Sequence, residues 1–128
     1  DYEKIRNLLI QAGWGDRVGV GDPDEFAAML DHTTYNIIAV DDHEIVGFIR
    51  ALSDKTAIGY LMMLAVKEER RRQGIATELV KRLTDDSPNI TWIVRVQDMG
   101  TKIFRSLGFE QSNVTFEKGR EQGRKLID

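Results

Sequence analysis

Leu64-Ala65-Val66-Lys67-Glu68-Glu69-Arg70-Arg71-Arg72-Gln73-Gly74-Ile75-Ala76-Thr77-Glu78-Leu79-Val80 reads as an apolar strand, a basic turn holding a glycine, and the opening of an amphipathic helix. A helix start presents backbone N–H groups with no intrahelical partner, together with the positive end of a macrodipole. Gly74 and Ala76 leave the approach to that end open, as close contact between backbone and phosphate requires. The arginines add positive charge. The chemistry this stretch suits is a grip on a pyrophosphate; a merely solvated charged turn is the plain alternative.

Outward from this stretch, the chain divides into short periodic segments. Towards the N-terminus, Tyr2, Ile5, Leu8, Leu9 and Ala12 recur at helical spacing until Gly13, and the glycine-rich Trp14–Gly21 is a loop. Asp22-Pro23-Asp24-Glu25 has the composition of a helix start, and the helix that follows carries Phe26, Met29 and Leu30 inward and stops near His32. Tyr35–Val40 and Glu44–Leu52 are β-rich runs around Asp41-Asp42-His43, a hairpin, and Ala57–Val66 is a longer strand.

Towards the C-terminus, the helix from Gly74 to Leu83 aligns Ile75, Leu79, Val80 and Leu83, and Ser87-Pro88-Asn89 breaks it. Ile90–Val96 is a strand. A last helix near Met99–Leu107 ends at Gly108, where a glycine cap is expected, and Phe109–Phe116 follows as a strand. The predicted order is ααβββαβαβ. A strand, crossover helix and strand around Gly74 place one parallel pair in an otherwise antiparallel sheet.

Composition narrows the function classes. A length of 128 residues suits one domain. The net charge of −3 provides no basic field for nucleic acid or an anionic membrane. Without cysteine, thiol nucleophiles and cysteine-based metal sites drop out, and with two histidines, His32 and His43, a histidine-based metal site is not expected. No apolar run reaches the ~18 residues of a membrane span and no signal pattern opens the chain, so a cytoplasmic location is expected.

Arg71-x-x-Gly74-x-Ala76 after a strand ending in Leu-Ala-Val resembles the acetyl-CoA motif of the GNAT acetyltransferase superfamily. Ile103-Phe104-Arg105-Ser106-Leu107-Gly108-Phe109 resembles that family's closing helix and its Leu-Gly-Phe ending. The resemblance covers residues 35 to 116 and extends to the two N-terminal helices. Gln11-Ala12-Gly13-Trp14 with Gly47-Phe48-Ile49-Arg50-Ala51-Leu52-Ser53-Asp54 looks most like a bacterial and plastid branch that includes the plant serotonin N-acetyltransferases.

The resemblance implies a mixed, mostly antiparallel α/β sheet, splayed between two parallel strands so that the cofactor enters as a wedge. Main-chain groups at Leu64, Ala65 and Val66 would bond the pantetheine arm and polarise the thioester carbonyl. The amides of Arg71, Arg72, Gln73, Gly74, Ile75, Ala76 and Thr77 would wrap the pyrophosphate of acetyl-CoA (coenzyme A). Gln97 stands where relatives carry an asparagine that meets the cofactor. Relatives begin with a strand before the first helix; here that strand is absent or lies ahead of Asp1.

Two positions depart from the family pattern. Phe104 stands where a tyrosine commonly protonates the leaving thiolate. Tyr60 and Met62 stand where relatives place a glutamate or histidine base, and a tyrosine ordinarily titrates near ~10. The implied mechanism is led by positioning, with deprotonation through water and Tyr60 orienting the water or the amine, or else only walling the pocket. Met62 would line a partly apolar acceptor site. Trp14 either lines that site or packs beneath its loop, and Arg50 and Asp54 bind charged groups of the acceptor or each other.

The expectation is one domain over residues 1–128 that acetylates a primary amine of a small molecule or protein by direct sequential transfer. Neither a nucleic-acid nor a membrane partner is expected, and a homodimer could pair through Phe109–Phe116. The rival is a module that holds coenzyme A without turnover, kept open by Phe104 and the missing base.

Overall fold

The structure is a computed structural model, and it describes residues 2–96, 100–112 and 115–119. The chain forms two compact units, residues 1–94 and 95–128. In the first, α1 (Tyr2–Leu9) buries Ile5, Leu8 and Leu9 at helical spacing. The helix was expected to run to Ala12. Helical backbone does continue past Leu9 as a wider turn, Ile10–Trp14, and Gly13 at φ 94°, a left-handed conformation that favours glycine, breaks it where the sequence places the end. α2 (Pro23–Asp31) begins as its sequence dictates: the Asp22 carboxylate accepts the N–H groups of Asp24 at 2.8 Å and Glu25 at 3.1 Å.

Strands β1 (Tyr35–Asp41), β2 (Glu44–Ser53), β3 (Ile58–Val66) and β4 (Thr91–Val94) form one sheet in that order. The first three are antiparallel, and β4 joins β3 in parallel after the crossover helix α3 (Ile75–Asp85). This is the expected mixed sheet with its single parallel pair. The β1–β2 turn works because Asp42 and His43 both take left-handed φ, 50° and 67°, as tight hairpins require. β4 is shorter than the expected Ile90–Val96.

Helices cover both faces of the sheet. On one, Phe48, Met63 and Ala65 pack with Ile5, Leu8, Leu9, Phe26 and Leu30. Leu9, Phe26 and Phe48 are almost fully buried, each worth about 1.5–3 kcal/mol, so this face anchors α1 and α2. On the other face, α3 sits directly on β2. A Cβ added to Gly47 would lie 2.9 Å from Ile75 Cγ2 and 3.1 Å from Leu79 Cδ1, closer than packed atoms tolerate. Between Arg50 and Ala51 the β2–β3 register shifts, leaving Met62 as an extra residue in β3.

In the second unit, α4 (Thr101–Ser106) is followed by Gly108 at φ 92°, the expected glycine stop. Phe109–Phe116 was expected as a strand, but residues 109–112 and 115–116 form none. The Phe109 N–H is drawn back to the Phe104 carbonyl, and Arg105 donates to Gln111 Oε1 at 2.6 Å. Glu110, Gln111 and Ser112 are all exposed, so no alternating face is buried to define a strand. The pairing edge proposed there for a homodimer is therefore missing among the described residues.

Candidate functional site

The basic turn is built by a sequence of local constraints. The Lys67 N–H closes the β2–β3 ladder on the Val46 carbonyl at 2.8 Å. A short turn, Glu68–Arg70, follows, and the Arg71 N–H is spent on the Glu68 carbonyl at 3.3 Å. From there Arg72 and Gly74 both take left-handed φ, 65° and 81°. Such a turn makes successive N–H groups converge on one side. Glycine adopts this conformation freely; at Arg72 it costs roughly 1–2 kcal/mol.

α3 then starts with no side-chain cap. The Glu78 N–H is the first to find an intrahelical acceptor, the Gly74 carbonyl at 3.0 Å. Among the described residues, the amides of 72–77 meet no protein acceptor. A Cβ added to Gly74 would meet no described residue within 4 Å, so among the described residues the helix mouth is open as well as uncapped. These features fit a diphosphate: aligned donors, a helix dipole and room for close approach.

The cations of the turn divide into two pairs. Lys67 is held by Glu44 at 2.9 Å and by Glu69 at 3.6 Å, and the Glu44 carboxylate raises its pKa. Arg70 binds Asp41 at 2.8 Å and Gln73 Oε1 at 3.2 Å. Both residues thus tie the turn to the β1–β2 hairpin. Arg71 and Arg72 are exposed and form no ion pair among the described residues. Their charge is free for a ligand.

Beyond its pairing with β4, the adjoining stretch of β3 turns some of its main-chain groups away from β2. β4 stops pairing at Leu61↔Val94, while β3 runs on to Val66. Because Lys67 is turned towards β2, the two-residue alternation turns Ala65 and Met63 the same way, and Leu64 and Val66 the other. The backbone of Leu64 and Val66 thus faces away from β2, on the side that β4 does not pair among the described residues, and of the residues named for the carbonyl contact, Leu64 rather than Ala65 turns its N–H that way. The Val66 carbonyl takes a bond from Arg71 Nε at 3.3 Å.

The other sequence-predicted residues are placed as follows. Ile75, Ala76 and Thr77 form the half-buried first turn of α3, and Gln73 is exposed beside it. Tyr60 is partly exposed on β3, and Met62 packs against the α1/α2 core. Trp14 is half-buried against that same core, with the Arg17 guanidinium 5.3 Å from its ring centre. Phe104 is buried in the second unit, edge-on to Phe109 at 5.2 Å. Gln97 lies outside the described residues.

Arg50 and Asp54 do not pair. Asp54 closes the β2–β3 turn by accepting the N–H groups of Thr56 (2.9 Å), Ala57 (2.8 Å) and Ile58 (3.1 Å). Those donors hold its carboxyl below the ordinary carboxylate value. Arg50 instead donates Nε to Thr33 Oγ1 at 2.8 Å, and burial pushes its pKa down. Sequence reasoning gave no sign of this isolation, because it depends on which groups the fold brings near.

Comparison with known proteins follows the same lines. Residues 17–121 match the family model of the acetyltransferase (GNAT) domain. A GNAT family acetyltransferase from Streptococcus pneumoniae TIGR4 has a similar structure, with TM-score 0.74 and 22% identity, over 94% of this chain and 92% of that one. A ribosomal-protein-alanine N-acetyltransferase from Brucella melitensis biovar Abortus 2308 has TM-score 0.72 and 19% identity, over 94% of each chain. An aminoglycoside 6'-N-acetyltransferase complexed with coenzyme A is 28% identical at TM-score 0.57, over 70% of this chain and 53% of that one. A comparison with curated proteins gave no match. The family, rather than a branch within it, is what these likenesses establish.

Proposed function

The chain belongs to the GNAT acetyltransferase family, and from that premise we propose that it transfers an acetyl group from acetyl-CoA to a primary amine by direct sequential transfer. The observation that carries the reading is the run of unpartnered amides over residues 72–77 at an open helix mouth, with the free cations Arg71 and Arg72 beside it. The coenzyme A complex of a 28%-identical aminoglycoside acetyltransferase supports the choice of carrier.

On this reading coenzyme A supplies the acetyl group as an activated thioester with a thiol leaving group. The amides of Arg72, Gln73, Gly74, Ile75, Ala76 and Thr77 hold the diphosphate, with Arg71 and Arg72 neutralising it. The Val66 carbonyl and the Leu64 N–H, on the open edge of β3, hold the pantetheine arm and the thioester oxygen. Ala65 packs behind them, and Trp14 and Met62 line the acceptor side. Tyr60 offers a hydroxyl that orients the amine or a water, so rate comes mainly from placement.

The acceptor is a small molecule or a protein, and one acetyltransferase domain over 1–128, cytoplasmic, is part of the same proposal. The match over residues 17–121 spans both compact units, which supports the single domain. A second reading, a module that binds coenzyme A without turnover, is favoured by one feature of the sequence: Phe104 replaces the tyrosine that the family resemblance expects as proton donor. Calorimetry with coenzyme A and a thiol-release assay against an amine panel test both. Saturable binding with release supports the enzyme, binding without release for any amine supports the module, and no binding removes both.

A further inference from the structure

Among the described residues Arg50 is the buried charged one, 8% exposed, and it forms no ion pair. Its single hydrogen bond among the described residues goes to a neutral hydroxyl, that of Thr33. Asp54, the nearest carboxylate in sequence, is fully used by its own turn. Among the described residues the two terminal nitrogens of Arg50 have no partner, yet they are not sealed from solvent: the sealed, unpaired side-chain atom there is Trp92 Nε1. The paired N–H fork of the guanidinium is therefore unused among the described residues.

An uncompensated buried cation is costly, by several kcal/mol per ion. Packing alone does not explain it, since a methionine of similar length would fill the space without the penalty. What an arginine adds is a planar fork that matches a carboxylate with two parallel bonds. Its position fits a substrate-facing role. Arg50 lies opposite Met63, next to the extra residue Met62. Leu52, two residues on and on the same face, lies opposite Tyr60. Arg50, Met62 and Tyr60 thus share the α1/α2 face of the sheet, opposite the face on which α3 packs.

We propose that Arg50 is the anion receptor of the acceptor site and that the acceptor is an amine that also carries a carboxylate. This rests on the transfer reading for the identity of the ligand as an acceptor, but not for the binding of a carboxylate at Arg50. The substrate's carboxylate supplies the missing counter-ion, so binding relieves a cost that the unliganded protein bears.

The test has a binding arm and a transfer arm. In the first, thermal shift of the wild type is followed with propionate, succinate and benzoate, each against its amide. The expected result is a saturable rise in Tm with the acids alone, absent in Arg50→Met and weakened in Arg50→Lys, which keeps the charge but not the fork. Unliganded Arg50→Met should melt at or above the wild type, because the uncompensated charge is gone. In the second arm, amino acids are compared with their decarboxylated amines as acceptors. Wild type should favour the acids by roughly tenfold to a hundredfold in kcat/KM, the scale of charge-assisted bonds, and Arg50→Met should lose that preference.

Acids that shift neither protein, or that shift Arg50→Met as much as wild type, overturn the proposal. So does an Arg50→Met that melts lower and keeps the wild-type acceptor preference. If acids bind through Arg50 while no amine releases thiol, the anion site stands and the transfer reading falls.

Discussion

Arg71 Nε lies 3.3 Å from the Val66 carbonyl, so a side chain of the basic turn occupies the main-chain acceptor at the end of β3. On the proposed function these are the two ends of one ligand site. A pantetheine amide that bonds Val66 must displace the guanidinium, which is then available to the diphosphate. Arg71→Met should therefore weaken ADP by roughly tenfold, the loss of one charge-assisted contact, and leave pantetheine unchanged or tighter. Calorimetry with the two half-ligands separates these effects; equal losses for both would refute the exchange.

Gly74 should tolerate little. At φ 81° an alanine is strained by about 1–2 kcal/mol, and its methyl would project into the space left open at the helix mouth. Gly74→Ala is expected to lower Tm modestly and coenzyme A affinity much more. A variant that loses stability but keeps full affinity would show that the glycine serves the backbone alone.

Gly59 is held by sterics instead. A Cβ there would fall 2.4 Å from the Trp92 ring, which lies across the β3–β4 pair. Gly59→Ala should cost roughly 1–3 kcal/mol through overpacking, visible as a lower midpoint in urea with an unchanged slope. An unaltered midpoint would mean that the indole moves aside freely.

Asp54 gives a pH-dependent prediction. Three N–H donors lower its pKa in the folded protein below the ordinary 3.8, so between the two values the unfolded chain binds more protons. Its contribution is fully present above that ordinary value and disappears as pH falls through the folded one. Asp54→Ala should melt below wild type at pH 7, and the gap should narrow on acidification towards and below 3.8. A gap constant with pH would exclude the carboxylate as its source.

The strand, basic turn and helix around Gly74 were legible in the sequence because apolar period, glycine position and helix periodicity all agree there. The hairpin at Asp41–His43 was legible for the same reason. Phe109–Phe116 misled, since Phe109, Val114 and Phe116 suggest a strand while the intervening polar residues give it no face to bury. The division of the cations could not be read from Lys67–Arg72, because it depends on Asp41 and Glu44, some 25 positions earlier in the chain. Nor could the choice of Leu64 over Ala65, which follows from a single bond between Lys67 and Val46.

Gly47 has a consequence for how a long, flexible ligand is measured. With no side chain between β2 and the first turn of α3, the distance from the helix mouth to the edge of β3 is set by backbone resting on Ile75 and Leu79. That makes the fold a ruler. On the proposed function a carrier must match its span to place a reactive carbonyl at Leu64, and a methyl inserted at Gly47 would reset the gauge by pushing on the side chains of Ile75 and Leu79.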